Sequence, residues 1–182
     1  NRLGQQFAEL AKAAKSIILM KIKKVECRGI ELSQTGVNEC VKKGLSVIQG
    51  DANFDLKDYP DRSFTTAILS QTIQAMIYPD NVIENLIRIA ERAIISFPNF
   101  AYWKIRRDFF FSGLMPKNIA LPYEWYDTPN IHLCSIKDFT NFCEKKGIKI
   151  NEFLYLNEEG EKLNDFMNNF RPYQAIFCVS KK

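Results

Sequence analysis

Short apolar runs alternate with helix-forming segments along the first half of the chain, and this alternation limits the fold more than any other feature. Four runs are rich in apolar and β-branched residues and have the length of buried strands: Val25–Leu32, Leu45–Gln49, Phe64–Ser70 and Ala93–Phe97. Strands that are apolar on both faces and joined by helices are typical of a parallel sheet covered on both sides. The pattern therefore predicts an α/β fold.

Two of the connecting segments carry helix signals. In the first, Ser33 is suited to cap a helix and Gly44 is suited to end it. In the second, residues Asp80–Ala93 place apolar side chains on one face and polar side chains on the other. Asn81 and Glu84 have the spacing of a capping pair, so we expect them to cap this second helix.

The second half of the chain adds one more helix and two more strands. Ser135 and Asp138 have capping-box spacing at the start of the helix, and the runs Ile148–Leu156 and Tyr173–Ser180 have the composition of strands. We predict a mostly parallel sheet with an antiparallel C-terminal strand pair. We also predict a single domain over residues 1–182, because a chain of this length buries one substantial core and is short for two.

Composition argues against several classes of protein. The 25 Lys and Arg residues and 21 Asp and Glu residues give a net charge of +4, and the cations are scattered, whereas nucleic-acid binding requires clustered ones. The five widely spaced cysteines are typical of reduced thiols in a cytoplasmic protein. A single histidine argues against a metal site. No apolar run approaches the ~20 residues of a membrane span, so we expect a soluble protein without a membrane partner.

Small or hydrogen-bonding residues follow the predicted strands, at the edge where open α/β sheets bind ligands. In chain order these residues are Glu31, then Gly50, Asp51 and Ala52, then Ser70 and Gln71, and finally Pro98 and Asn99. The carboxylate of Glu31 could accept both hydroxyls of a ribose and that of Asp51 an exocyclic amine, so the pattern favours a nucleoside-like ligand. Two simpler interpretations stay open: Glu31 as a solvated residue before a helix, and Asp51 as part of a Gly-Asp turn.

Two further features have both a functional and a structural interpretation. His132 is the only side chain whose ordinary pKa lies near neutrality, which makes it a candidate general base, although a lone histidine is more often structural. Aromatic residues are dense between residues 97 and 126. That segment could form a lid, a partner surface or a membrane-surface helix, or simply cover the sheet.

Three long runs resemble the MetW family. They are GLSVIQGDANFDLKDYPDRSFTTAILSQTIQA, RAIISFPNFAYWKIR and LPYEWYDTPNIHLCSIKDF, and the similarity covers residues 25–156. The resemblance implies a Rossmann-like class I methyltransferase fold, S-adenosylmethionine or S-adenosylhomocysteine as cofactor, and a place in bacterial methionine biosynthesis. The implied activity is methyl transfer to an unidentified small molecule or protein. The alternative is a non-catalytic partner or regulator of homoserine O-acyltransferase, with which the family is thought to associate.

The resemblance also implies roles for individual residues. Cofactor contacts are expected from Glu31, Leu32, Gly50, Asp51, Ala52, Ser70 and Gln71. Glu31 matches the ribose-binding place, Asp51 matches the adenine side, and Gln71 lies in the loop near the methyl group. The segment from Tyr123 to His132 matches the acceptor side of the pocket, where these two residues are candidates to orient or deprotonate the acceptor.

The family's glycine-rich loop, of the type Val-Leu-Asp-Leu-Gly-Cys-Gly-Asp-Gly, has no counterpart in this sequence. The first 20 residues contain one glycine, Gly4, and residues Gln5–Lys15 predict an Ala-rich amphipathic helix. Either the sequence joins ordered segments and omits a disordered stretch, or the chain has lost its first strand and loop. We favour the first explanation, because a parallel sheet without its central strand leaves buried backbone groups unpaired.

Overall fold

The computed structural model describes residues 26–117 and 121–182. Contacts divide the chain into two compact units, and the division lies between Asp58 and Tyr59. The expected helix at Gln5–Lys15 and the question of the glycine loop lie outside the described residues. The expectation of a single domain stays a prediction.

The first unit contains two short parallel strands joined by a helix. These elements are β1 (Gly29–Glu31), α1 (Gln34–Lys42) and β2 (Val47–Gln49), and both strands are shorter than the predicted runs. Ser33 caps α1 as predicted, since its Oγ accepts a hydrogen bond from the Gly36 amide at 3.0 Å. Gly44 follows the helix with a φ of 69°, a conformation that favours glycine, so the predicted stop is also confirmed.

The second unit contains a five-stranded mixed sheet. Its strands are β3 (Phe64–Ser70), β4 (Ala90–Pro98), β5 (Ile148–Leu156), β6 (Lys162–Leu163) and β7 (Gln174–Lys181), in the spatial order β3-β4-β7-β5-β6. β3 and β4 are parallel, whereas β7 is antiparallel to both of its neighbours, β4 and β5. The α/β class and the antiparallel C-terminal pair are therefore confirmed.

The second unit has three helices, and the first and third of them pack against this sheet and form its core with it. The three helices are α2 (Pro79–Ile89), α3 (Trp103–Ser112) and α4 (Ile136–Lys145). The rings of Phe97 on β4, Phe139 on α4 and Phe177 on β7 are almost fully buried, and their centroids lie 4.8 to 5.9 Å apart. The capping box at Ser135 is confirmed, because its Oγ accepts from the Asp138 amide and the Asp138 carboxylate accepts from the Ser135 amide, both at 3.1 Å.

The prediction for the start of α2 was wrong. The helix begins at Pro79, and Tyr78 precedes it without a side-chain cap, so Asn81 and Glu84 do not form a capping pair. The fixed φ of proline suits the first helical turn, and its missing N–H removes no hydrogen bond there because the first amides of a helix have no partner within it. Glu84 instead pairs with Lys146 at 2.8 Å.

The predicted end of α2 at Ala93 was also wrong. The helix ends at Ile89, and Ala90 has the extended φ and ψ of −129° and 155°. Residues Ala90–Arg92 pair with β3 through the registers Phe64 to Ala90 and Thr66 to Arg92. The helix therefore passes into β4 without a loop, because the backbone groups of these residues are used in the sheet.

Candidate functional site

Glu31 ends β1, and its side chain lies against the start of α1. Its Oε1 accepts hydrogen bonds from the backbone amide of Ser33 at 3.0 Å and from the Ser33 hydroxyl at 2.9 Å. In a capping box, a side chain at the third helical position satisfies the amide of the cap residue. Here the third position is Gly36, and a Cβ on it would lie 2.7 Å from the carboxyl carbon of Glu31. Gly36 therefore leaves the space that the Glu31 carboxylate fills.

Asp51 lies immediately after the end of the neighbouring strand. The Gly50 amide donates to the carbonyl of Glu31 at 3.0 Å, so the carboxyl ends of β1 and β2 lie side by side. Oδ1 of Asp51 accepts from the backbone amide and the side-chain amide of Asn53, both at 2.8 Å. The Asp51 amide in turn donates to Asp55 at 2.7 Å. Asp51 thus shapes its own turn, as the simpler interpretation expected, and its carboxylate stays at the strand end.

The other two residues predicted at these strand ends differ in their exposure. Leu32 is 66% exposed directly after Glu31, and Ala52 is half-buried in the turn after Asp51. In the first unit, the structure therefore brings together two carboxylates, an exposed apolar side chain and the Gly50 backbone at one edge of a parallel strand pair. This arrangement offers hydrogen-bond acceptors next to apolar surface.

Ser70 and Gln71 lie where β3 ends beside β4. The Gln71 amide donates to both the carbonyl and the hydroxyl of Ser96, at 2.8 and 3.1 Å. Gln71 has a φ of 50°, a left-handed conformation that is unusual outside glycine. Sequence reasoning missed Ser96, although a serine within the apolar run of β4 was a visible signal.

His132 is attached to the loop that follows Ser70 and Gln71. The backbone amides of Ile131 and His132 donate to the carbonyl of Gln74 at 2.8 and 3.0 Å, and the His132 Nε2 lies 3.4 Å from the carbonyl oxygen of Ile77. Tyr123 is half-buried in the segment before it. The roles of these two residues with an acceptor stay a prediction.

Asn99 at the end of β4 has a structural role. Its side chain is fully buried, and its Nδ2 donates to the carbonyl of Pro172 at 2.9 Å. Its Oδ1 accepts from the Ala101 amide at 3.1 Å. The expectation that Asn99 presents a group to a ligand was wrong, because the amide joins β4 to the chain before β7.

A cavity of about 400 Å³ lies within the second unit, lined in part by the N-terminal residues of α2 and α4 and by His132. Cys134 also lines it, and burial, followed by the nearby charge of Asp138, raises the pKa of this thiol to about 12. The Cys134 thiol is therefore neutral and a poor nucleophile at physiological pH. Among residues 26–117 and 121–182, no three His, Cys, Asp or Glu side chains are grouped so that they could hold a metal ion.

Comparison with known proteins decides the family. The family model described as methionine biosynthesis protein MetW matches residues 13–179. The chain belongs to the MetW family. A relative, the bifunctional methionine biosynthesis protein MetXA/MetW of Rhodopirellula baltica, is 29% identical to this MetW-family chain over 137 residues. The match covers 74% of the chain and 22% of the relative, so the chain spans about a fifth of that protein.

Solved structures confirm the Rossmann-like class I methyltransferase fold of this MetW-family chain. A SAM-dependent methyltransferase from Thermotoga maritima superposes with a TM-score of 0.62 at 16% identity, covering 90% of this chain and 76% of the other. A SAM-dependent methyltransferase from Archaeoglobus fulgidus gives a TM-score of 0.61 at 15% identity, covering 90% and 79%. At these identities the likeness shows the fold alone. In the part of the chain that the structure describes, no helix is long and apolar enough to cross a membrane.

Proposed function

We propose that this MetW-family chain binds S-adenosylmethionine or S-adenosylhomocysteine and acts as a methyltransferase of methionine biosynthesis with an unidentified acceptor. The observation that carries the proposal is the pair of carboxylates, Glu31 and Asp51, at the adjacent ends of two parallel strands. The fold that the chain shares with S-adenosylmethionine-dependent enzymes supports the same ligand.

The donors of a nucleoside fit this pair of acceptors. A ribose diol presents two O–H donors and the adenine amine presents N–H donors, whereas an ionised carboxylate only accepts. Within the described residues, the hydrogen bonds of Glu31 use Oε1 alone, so its Oε2 is the atom we assign to the ribose. Bound S-adenosylmethionine supplies an electrophilic methyl group, and the task of the protein is then to align an acceptor with it.

Calorimetry with S-adenosylhomocysteine tests the proposal on the full-length protein. We expect binding by the wild type and binding weakened about 10- to 100-fold in Glu31→Gln and in Asp51→Ala, since hydrogen bonds to charged groups contribute about 1.5–3 kcal/mol. Glu39→Gln, which makes the same change within α1, is the matched control and is expected to bind as the wild type does. Absence of binding by the wild type would remove the proposal.

Separate variants test the roles proposed for the second unit. Gln71→Gly removes the side chain and keeps the positive φ free of strain, so weaker binding of S-adenosylhomocysteine would report on the side chain itself. Tyr123→Phe and His132→Gln are expected to lower methyl transfer from labelled S-adenosylmethionine to extract components while cofactor binding is unchanged. Equal transfer by wild type and both variants would exclude these residues from the reaction.

A second candidate function is that of a partner or regulator of homoserine O-acyltransferase. The Rhodopirellula baltica relative, named MetXA/MetW, carries a MetW part within a larger bifunctional chain. The second unit also exposes two groups of apolar side chains, Phe110, Phe111 and Leu114 in one segment and Trp125 and Tyr126 in another, each between 70% and 81% exposed. Lys117 pairs with Glu124 at 2.5 Å and so joins the two segments that carry these residues. Tyr, Trp and Phe are favoured anchors of protein interfaces, and exposed apolar patches mark such sites.

Co-elution with homoserine O-acyltransferase tests this second function. We expect the double variant Phe110→Ser with Phe111→Ser to abolish co-elution, because both rings are 81% exposed and are not needed for the core. Phe166→Ser, which changes a ring that is 67% exposed elsewhere on the same unit, is the control. If the wild type neither co-elutes with the acyltransferase nor changes its activity, the partner function is wrong.

A further inference from the structure

The cavity lined by residues of α2 and α4 has the properties of a small-molecule site. Its volume is about 400 Å³, and its walls are mainly apolar, formed by side chains such as Ile73, Ile77, Ile83, Phe139 and Phe142. Cavities of this size with apolar walls and a few polar groups are typical of ligand sites. None of the residues proposed above for the cofactor lines it.

Gln74 lines this cavity, and its buried side chain carries a polar atom without a hydrogen-bond partner. Its side chain is only 5% exposed, and its Nε2 donates to the carbonyl of Gln71 at 2.8 Å. That bond fixes the orientation of the amide, because a backbone carbonyl can only accept. Oε1 is then left buried without a hydrogen-bond partner in the described part of the chain. Such buried unpaired acceptors are few in native proteins and are unfavourable until a donor reaches them.

The charged residues of the cavity limit the class of ligand. Asp80 and Asp138 line it, and none of its lining residues is a Lys or Arg. The nearby Lys146 has its Nζ 3.9 Å from the carboxylate of Asp80. The partial positive charges at the N-termini of α2 and α4 are offset by these two carboxylates. The other titratable groups of the lining are His132 and the neutral thiol of Cys134. The cavity therefore disfavours anions and favours molecules that donate hydrogen bonds.

We propose that this cavity binds a small, mainly apolar molecule that donates a hydrogen bond, through an amine or a hydroxyl group, to Oε1 of Gln74. The apolar walls hold the body of the molecule, and the fixed amide of Gln74 selects the donor. The lining of this cavity shares no residue with the proposed cofactor contacts, although it includes His132, which the proposed function assigns to the acceptor.

Three probes of nearly equal shape test the proposal: 2-phenylethylamine, 2-phenylethanol and phenylacetate. Each is titrated into ¹⁵N-labelled full-length protein while the backbone amide signals of Gln74, Ile77 and Ile83 are followed. For fragments of this size, dissociation constants of roughly a millimolar are expected. We expect the amine or the alcohol to shift these signals and phenylacetate to bind at least about tenfold more weakly, because two carboxylates and no cation line the cavity.

Two substitutions locate the binding. Gln74→Met keeps the length of the side chain but removes the acceptor, and we expect it to weaken amine or alcohol binding about 3- to 10-fold. Gln34→Met, the same change at an exposed position on α1, is the matched control and should have no effect. If Gln74→Met fails to fold, Ile77→Trp at the partly exposed rim of the cavity is expected to exclude the probes by filling it.

Three results would overturn the proposal. The first is that no probe shifts the signals, which would leave water as the only occupant of the cavity. The second is that phenylacetate binds as tightly as the amine and the alcohol. The third is that neither variant changes the binding of the amine. Binding of S-adenosylhomocysteine is measured on the same samples. The cavity proposal and the cofactor proposal can then be judged separately, because either proposal can fail while the other holds.

Discussion

The substitution Gly36→Ala tests whether Glu31 must lie against the start of α1 to bind a ribose. A Cβ at residue 36 would lie 2.7 Å from Cδ and Oε1 of Glu31 and 2.8 Å from its Cγ, closer than atoms that are not bonded can approach. The obstacle is the end of a flexible side chain, so we expect the Glu31 carboxylate to move away while the backbone stays in place. Glu31 then loses its bonds to Ser33.

The expected change in stability is small because two effects oppose each other. Replacing glycine by alanine inside a helix stabilises it by about 0.5–1 kcal/mol. Losing the two hydrogen bonds between Glu31 and Ser33, both partly solvated, costs about 0.5–1.5 kcal/mol each. We therefore expect the free energy of unfolding to fall by about 0–2.5 kcal/mol relative to the wild type.

The expected change in binding is larger. A displaced carboxylate loses charge-assisted hydrogen bonds to the ribose, and at about 1.5–3 kcal/mol for such a bond the affinity for S-adenosylhomocysteine falls about 10- to 100-fold. Calorimetry measures the affinity, and urea unfolding of the same samples measures the stability. Thr35→Ala, at the exposed neighbouring position of α1, is the control. A folded Gly36→Ala protein that binds S-adenosylhomocysteine like the wild type would refute the role assigned to the position of Glu31.

Three further predictions concern the second unit. Ser135→Ala removes the cap of α4 and should lower the free energy of unfolding by about 1 kcal/mol in urea, and an unchanged midpoint would contradict the capping box. Asn99→Ala leaves the Pro172 carbonyl and the Ala101 amide unpaired, so the free energy of unfolding should fall by about 2–4 kcal/mol. A fall of less than about 1 kcal/mol would contradict this structural role. Cys134, with a pKa of about 12 against an ordinary 9.0, should hold about 1,000-fold less thiolate at pH 8, and iodoacetamide labelling as fast as that of glutathione would contradict the burial of its thiol.

Elements whose signals are local could be predicted from the sequence. The predicted bounds of β3 and β5 agree with the structure. The helix start at Ser135 could be predicted because a capping box is formed by residues within a stretch of four in the sequence. The end of α2 could not be found in this way. The residues Ala90–Arg92 are compatible with a helix, and only their pairing with β3 makes them part of a strand. The two-residue strand β6 was missed because it has almost no pattern of its own.

The residues of the candidate site also divide into those that the sequence pattern reveals and those that only the structure reveals. Glu31 and Asp51 could be placed at strand ends because the ends follow from the strand pattern, although their role with a cofactor stays a prediction. Gly36 could not be identified, because its importance depends on where the side chain of Glu31 turns. Gln74 was equally hidden, since a glutamine in a loop normally faces solvent and only the structure shows that its Oε1 is buried without a partner.

The bonds between Glu31 and Ser33 connect local folding to the proposed binding function. Ser33 caps α1 with its hydroxyl and holds Oε1 of Glu31 with both its amide and its hydroxyl. A carboxylate that is already held in place loses little side-chain entropy when a ligand binds to its other oxygen, so more of the hydrogen-bond energy remains as affinity. The same bonds give Glu31 a structural role without any ligand. Ligand binding and helix capping therefore depend on the same carboxylate, and the Gly36→Ala experiment separates the two roles by measuring affinity and stability together.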